Sequence, residues 1–181
     1  SIASPFGESV MDSASSVSVL RAADWEERGA RSLEDALEQV PSVVPYASLG
    51  GATMYAIRGY ANELSVRGTA LQLDGVPLNS FSYSTAAYSL PFVQLSLLER
   101  AEVIRGAGST LYGSDAFHGV IALNTWQPGS GHREARVFSG SPGSGQAAVT
   151  YALDADKLRG SVGIAHAHSG EANIAYRYTD A

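Results

Sequence analysis

The stretch RGAGSTLYG, residues 105–113, carries residue types that could bind a phosphate group. It follows an apolar run, and Gly106 and Gly108 match the first two glycines of the G-x-G-x-x-G pattern of nucleotide-binding loops. Leu111 stands where the third glycine belongs, and no Gly-Lys-Ser/Thr sequence or helical periodicity follows. The stretch therefore predicts tight turns in which backbone passes close to backbone, rather than a phosphate site.

Two histidines offer the other possible site for chemistry. His166 and His168 are spaced to share one face of a strand, where two imidazoles bind a metal weakly. We favour polar residues at the rim or lumen of a β-structure over a metal site. Cysteines are absent and no G-x-S-x-G sequence occurs, which excludes thiolate chemistry and a nucleophile elbow. The sequence therefore indicates no catalytic residue, metal or cofactor, and an enzyme has the weakest support.

Composition narrows the class of protein. The chain of 181 residues has a net charge of −6, 12 basic residues and a single lysine, Lys157. This acidic balance argues against nucleic-acid binding, which needs a basic face. No segment approaches the roughly 18 apolar residues of a membrane helix, although the short alternating strands of a membrane barrel would not need one.

The N-terminal third predicts a flexible arm, a strand and two helices. Residues 1–15 are small and polar, and residues 16–20 alternate as a strand does. Residues 21–30 predict a short helix that ends at Gly29. Ser32 and Asp35 form a capping box for a second helix, which Pro41 ends. The apolar face of that helix consists of Leu33, Ala36, Leu37 and Val40.

Residues 41–126 predict short strands separated by long polar loops. The strand segments are MYAIRGY, TALQLDGVPL, ERAEVIRG and HGVIALNTW. Asp74 and Gly75 form a turn signal inside the second of them. The loops YASLGGAT, ANELSVRG and NSFSYSTAAYSLP are rich in tyrosine. This is the pattern of an α+β module with a small sheet.

The segment QPGSGH, residues 127–132, predicts a linker. After it, QAAVTYALD, LRGSVGIAHAH and NIAYRYT alternate between apolar residues and small or polar ones. Three such strands predict an antiparallel meander, which fits the wall of an outer-membrane barrel and also half of an ordinary sandwich.

Taken in order, the motifs SLEDALEQVPSV, IRGY, LQLDGVPL and LLERAEVIRGAGSTLYGSDAFHGVIALNT resemble the plug domain of TonB-dependent outer-membrane transporters. The resemblance covers about residues 16–126. It implies an α+β plug domain, with a short mixed β-sheet, small helices and long loops, followed by antiparallel strands of a transmembrane β-barrel. We expect an arm at 1–15, a plug at 16–128 and the first barrel strands at 133–181. Three strands leave the barrel incomplete.

The resemblance also implies roles for charged residues and glycines. Arg58 and Arg105 resemble family arginines that lock the plug to glutamates of the barrel wall, and arginine suits bidentate pairing with carboxylates. Glu99, Arg100 and Glu102 resemble members of the same network; an ion pair internal to the plug is the alternative. The glycines at 106, 108, 113 and 119 would let turns pack inside a narrow bore.

Loops that face outward in the family contact the ligand. The corresponding loops here carry residues that stack or form hydrogen bonds, although loop tyrosines also serve as anchors to the wall. The predicted ligand-binding residues are Tyr46, Ser48, Tyr60, Asn62, Arg67, Asn79, Phe81, Tyr83 and Tyr88.

The function implied is energy-coupled uptake of a scarce ligand, such as an iron–siderophore complex, haem or cobalamin, across a Gram-negative outer membrane. The implied partners are the remainder of the β-barrel, from the same or another chain, TonB with ExbB and ExbD, and the lipid and lipopolysaccharide of that membrane. The TonB-binding segment is not recognisable in residues 1–12, unless GESVM is a degenerate version or the segment lies upstream. A signalling receptor and a stand-alone plug remain as alternatives.

Overall fold

The computed structural model describes residues 16–47, 53–59, 68–79, 93–106, 116–140 and 143–168. The chain divides into an N-terminal unit, Ser1–Thr125, and a C-terminal unit, Trp126–Ala181. The division falls just before the segment predicted as a linker. No helix within the described ranges is long and apolar enough to cross a bilayer.

The described elements are ten strands, two α-helices and one 3-10 turn. In chain order they are β1 (Ser16–Arg21), α1 (Ala22–Glu27), α2 (Leu33–Leu37), β2 (Val43–Ala47), β3 (Thr53–Ile57), β4 (Thr69–Leu73), β5 (Val76–Pro77), the 3-10 turn (Leu95–Leu97), β6 (Leu98–Arg105), β7 (Gly119–Thr125), β8 (Arg133–Gly140), β9 (Ser144–Ala155) and β10 (Leu158–His168).

The N-terminal unit is built on a mixed sheet with the strand order β1-β6-β7-β4-β5. Every pairing is antiparallel except that of β4 with β7, which is parallel. Strands β6 and β7 are buried along most of their length, which explains the nearly continuous apolar sequence of β7, whereas β6 carries four charged residues among its eight. This arrangement, with small helices beside it, confirms the α+β fold class expected from the sequence.

The helices begin and end where the sequence predicts. The Ser32 hydroxyl accepts a hydrogen bond from the Asp35 backbone N–H at 3.1 Å, and the Asp35 carboxylate accepts one from the Ser32 N–H at 3.1 Å. This capping box satisfies N–H groups that the first turn of α2 leaves open. Gly29, in the left-handed region at φ 74°, stops α1. All four apolar residues predicted for α2 and its C-terminal extension are buried.

Of two turn or loop predictions in the N-terminal unit, one is confirmed by the structure and the other is wrong. Asp74 and Gly75 both have positive φ, 49° and 81°, as a tight hairpin turn between β4 and β5 requires. The prediction of a loop at Tyr46 was wrong, because Tyr46 lies on β2 and pairs with Met54 of β3. Pro45 inside β2 hid that strand, since proline lowers strand propensity.

Gly119 is a position where the sheet leaves no room for a side chain. A Cβ atom there would lie 2.6 Å from the Ile104 carbonyl oxygen and 2.8 Å from the Ile57 Cδ1. Gly106 instead meets a backbone requirement, with φ at 124°. Gly108 and Gly113 lie outside the described residues. The interpretation that glycine lets backbone approach backbone is therefore confirmed at Gly119.

The C-terminal unit is an antiparallel meander with the strand order β10-β9-β8. Strands β9 and β10, of 12 and 11 residues, contain the two predicted alternating segments. Strand β8 was not predicted, because its paired charges, Glu134 and Arg136, conceal the alternation. The third predicted strand, NIAYRYT, lies outside the described residues.

The polarity of this second sheet is the reverse of that of a water-soluble one. Its exposed face carries large apolar residues: Val137 (87% exposed), Val149 (58%), Leu158 (63%), Val162 (59%) and Ile164 (72%). The register places Val149 beside Ile164 on one face. On the other face Ala148, Thr150 and Ala152 are buried. A sheet that turns its apolar face outward is suited to a lipid environment.

We expect Gly119→Ala to destabilise the N-terminal unit by about 2 kcal/mol, because the new methyl group must displace the β6 backbone or the Ile57 side chain. Urea unfolding of the chain, followed by tryptophan fluorescence, measures the loss.

Gly160→Ala is the control for this change, because a Cβ atom at Gly160 meets no heavy atom within 4 Å. Its free energy of unfolding should stay within about 0.5 kcal/mol of the parent value. Equal stability of the Gly119 and Gly160 variants would contradict the crowding at Gly119.

Candidate functional site

Arg58 and Arg105, predicted to lock the plug, lie near the same end of the sheet. Arg58 has φ at 57°, and its backbone N–H donates to the Ser42 carbonyl at 2.9 Å. Its side chain reaches toward Gly106, where a Cβ atom would lie 3.7 Å from the Arg58 Nη1. The left-handed turn at Arg58 thus directs its guanidinium toward Gly106, the residue that follows Arg105.

Arg105 joins three separate segments of the N-terminal unit at this end. Its Nη1 donates to the Ser18 hydroxyl of β1 at 2.9 Å and to the Pro41 carbonyl at 3.0 Å. A guanidinium carries five N–H donors in a planar fork, which suits it to joining several segments at once. The Arg58 side chain is exposed. We call these two residues the arginine end of β6, because Arg105 is the last residue of β6 and the Arg58 side chain reaches toward Gly106, the residue after it.

Glu99, Arg100 and Glu102 form a second cluster, the carboxylate end of β6. The Arg100 Nε donates to the Glu102 carboxylate at 2.9 Å, and the Arg100 Nη1 lies 3.4 Å from the Glu99 carboxylate. Glu102 is only 1% exposed, so its charge depends on that pairing.

The two clusters lie at opposite ends of one strand. At about 3.3 Å per residue, the five steps from Arg100 to Arg105 span about 17 Å. The carboxylate end has ion pairs internal to the N-terminal unit, which the sequence left as an alternative, and the role of all five residues in locking the plug stays a prediction.

Of the nine predicted ligand-binding residues, the structure describes two. Tyr46 lies on β2 and Asn79 follows β5. The Asn79 side chain accepts from the Leu71 N–H at 2.7 Å and donates to the Thr69 carbonyl at 3.0 Å, so its amide extends the β4 ladder. The others lie outside the described residues: Ser48, Tyr60, Asn62, Arg67, Phe81, Tyr83 and Tyr88.

Asp74 is a residue whose role sequence reasoning missed. Its carboxylate accepts from the Thr125 backbone N–H at 2.8 Å and from the Thr125 hydroxyl at 2.7 Å. The sequence marked Asp74 only as a turn residue, because no local pattern connects it to a residue 51 positions later. This contact fixes the point at which the chain leaves the N-terminal unit.

Tyr55 carries a polar group buried beside the acidic helix α2. Its hydroxyl has no hydrogen-bond partner among the described residues. Burial raises the pKa of Tyr55 far above its ordinary value, and the carboxylates of Glu34, Asp35 and Glu38 raise it further. The phenol therefore stays neutral, and it contributes packing rather than acid–base chemistry.

The described residues contain no group of three or more side chains able to hold a metal ion. The rings of His166 and His168 lie 6.2 Å apart on β10, and both side chains are exposed. Their position near one end of the strand is consistent with the rim residues that the sequence favoured.

Comparison with models of protein families shows which family the chain belongs to. Residues 9–120 match the model of the TonB-dependent Receptor Plug Domain. The chain belongs to this family. The N-terminal unit is therefore a plug, and the chain is part of an outer-membrane receptor, as the sequence predicted.

The names of the relatives refer to vitamin B12, iron and heme. Over 128 residues, or 68% of its length, this chain is 33% identical to a vitamin B12 transporter of Vibrio vulnificus and 34% identical to an iron-regulated outer membrane virulence protein of Vibrio cholerae. The match to a heme/hemopexin utilization protein of Haemophilus influenzae is 36% over 96 residues, or 53% of this chain. The chain spans 20%, 19% and 12% of these relatives' lengths.

Solved structures share the fold. The ferric yersiniabactin uptake receptor of Yersinia pestis matches 83% of this chain and 24% of its own length, with a TM-score of 0.67 and 21% identity. The unliganded ferric citrate transporter matches 81% of this chain and 24% of its own, with a TM-score of 0.64 and 24% identity.

We expect Glu102→Ala to destabilise the plug by about 3 kcal/mol, because it leaves Arg100 without its buried partner. Glu99→Ala is the matched control: it removes a longer, partly exposed contact to the same arginine and should cost less than about 1 kcal/mol. Urea unfolding compares the two variants. Equal losses of unfolding free energy in the two variants would contradict the expectation that burial makes the Glu102–Arg100 pair the stronger one.

Tyr55→Phe should stabilise the plug by about 1 kcal/mol at pH 7, because it removes a buried hydroxyl that lacks a partner. The gap between variant and parent should widen above about pH 10, where tyrosine in the unfolded parent ionises while the folded Tyr55 stays neutral, so that the parent loses stability. Unfolding curves at both pH values measure the gap. A gap that stays constant with pH would contradict the raised pKa.

Proposed function

We propose that the chain is the plug and first barrel strands of a TonB-dependent transporter that binds a scarce ligand and gates its energy-coupled uptake. The observation that carries the proposal is the change of polarity along the chain. A plug whose core is buried in the ordinary way is followed at once by a sheet with Val137, Val149 and Ile164 exposed. That order fits a plug inside a barrel whose outer face meets lipid.

The arginine end of β6 supplies the contacts to the barrel in this proposal. Arg58 and Arg105 each pair with a carboxylate of the inner wall, where a restricted dielectric strengthens a bidentate contact. The carboxylate end has a different role, since Glu99 and Glu102 already pair with Arg100. It holds β6 in register, so that the arginines at the other end are correctly placed.

The outward loops bind the ligand. Tyr46, Ser48, Tyr60, Asn62, Arg67, Asn79, Phe81, Tyr83 and Tyr88 are the proposed contacts. Because the Asn79 amide is bonded to β4, its proposed part is to position the loop that follows it. The names of the relatives, which refer to vitamin B12, iron and heme, support a metal-containing nutrient as the ligand class.

Transport itself requires two states of the plug and no covalent chemistry. Ligand binding favours a state in which the N-terminal arm becomes available to TonB, which ExbB and ExbD energise. A ligand shifts such an equilibrium only by its difference in affinity for the two states. The chain therefore acts as a gate rather than as an enzyme.

Uptake by the complete receptor tests the proposal. Cells that produce the receptor as their only TonB-dependent protein should accumulate labelled cyanocobalamin, haemin or a ferric siderophore, and they should lose uptake, while keeping ligand binding, when residues 1–15 and any upstream arm are deleted. Lys157→Ala, a change at an exposed position of the turn between β9 and β10, is the control. Uptake that survives removal of the arm would contradict the coupling mechanism, and binding without uptake in the parent would favour a receptor that only signals.

A further inference from the structure

The segment 127–132, predicted as a linker, is held by an aromatic stack at the start of the C-terminal unit. The ring of Trp126, the first residue of the C-terminal unit, lies on the ring of His132 with centroids 3.4 Å apart and planes 1° from parallel. A turn closes the intervening chain, since the Ser130 N–H donates to the Gln127 carbonyl at 3.2 Å. Gly129 and Gly131 adopt the positive φ values, 84° and 71°, that this turn needs.

His132 is in turn fixed to the sheet of the C-terminal unit. Its Nε2 lies 2.6 Å from the Thr150 hydroxyl of β9 and 3.6 Å from the Glu134 carboxylate of β8. Its carbonyl accepts a hydrogen bond from the Ala152 N–H at 2.9 Å, which continues the β8–β9 ladder by one step. With its side chain only 10% exposed, His132 is a structural part of the sheet edge.

On the other side of the boundary, Thr125 is fixed to the plug. The Asp74 carboxylate receives both the Thr125 N–H and the Thr125 hydroxyl, and the Asp74 N–H donates to the Leu123 carbonyl at 2.9 Å. Thr125 and Trp126 are adjacent residues. The backbone rotations left between the two anchors are therefore ψ of Thr125 and φ of Trp126.

We propose that these contacts form a double clasp, Asp74 with Thr125 on one side and Trp126 with His132 and Thr150 on the other. The contacts of the double clasp stay formed throughout the transport cycle, so the C-terminal end of the plug keeps the same local structure. Rearrangement of the plug takes place in segments before β7. This inference rests on the proposed function, because it concerns the same gate.

Hydrogen exchange in the complete receptor tests whether the clasp orders the boundary. The reporters are the Ala152 and Thr125 amides, each bonded to a clasp residue. His132→Ala should speed exchange at Ala152 at least tenfold, and Trp126→Phe, which retains an aromatic ring, should change it less than threefold. His166→Ala is the matched control, since that exposed histidine in the same unit lies away from the clasp. Unchanged exchange at Ala152 in His132→Ala would overturn the clasp.

A reversible cross-link tests whether the clasp stays closed during transport. The chain has no cysteine, so Asp74→Cys with Thr125→Cys creates a unique pair within it, which a short reductant-cleavable dithiol reagent can bridge. Uptake of whichever probe the parent transports, cyanocobalamin, haemin or a ferric siderophore, should differ less than twofold between bridged and reduced receptor. A tenfold loss that reductant restores would overturn the proposal.

The two experiments separate this inference from the proposed function. If the parent receptor transports none of the probes, the transport proposal fails, whereas the exchange rates at Ala152 and Thr125 still decide whether the double clasp exists.

Discussion

Strand β6 is the element on which the plug depends. It pairs with β1 along one edge and with β7 along the other, and Ala101 and Val103 on one of its faces are fully buried. Its other face carries Glu102, a carboxylate that is almost completely buried. Arg100 lies 2.9 Å away on the same face of the strand and helps to compensate that buried charge. The same strand therefore supplies residues of the hydrophobic core and the charged residues at its two ends.

The same chain follows two opposite rules for placing apolar residues. In the plug, Trp25, Leu37 and Leu123 lie inside and the acidic side chains of the helices lie outside, as water requires. In the C-terminal unit the large aliphatic residues are exposed, while alanine and threonine are buried. The plug departs from its rule at Val44, Val76 and Phe117, which are exposed, and the boundary between the units falls between Thr125 and Trp126.

Local patterns allowed much of this structure to be predicted from the sequence. The capping box at Ser32 and the turn at Asp74 each depend on side chains within a few residues of one another, and both are present in the structure. Alternation placed β9 and β10 correctly for the same reason. Strand β2 was missed because its proline opposes the local signal, and β8 because its charges do.

Features that depend on distance in space were beyond sequence reasoning. The sequence does not show that the extended strand β6 places Arg100 and Arg105 about 17 Å apart along its length. The bonds of Asp74 to Thr125 connect residues 51 positions apart. The stack of Trp126 on His132 was hidden because glycines, a proline and a serine between them are typical of a flexible connection.

The exposed aliphatic face of the C-terminal unit has a consequence for the biogenesis of the protein. Before it reaches lipid, a newly made chain must carry Val137, Val162 and Ile164 through water on long strands, which is a combination that promotes aggregation. Protection of this segment from water is therefore the first requirement. The plug, with its own buried core, makes no comparable demand.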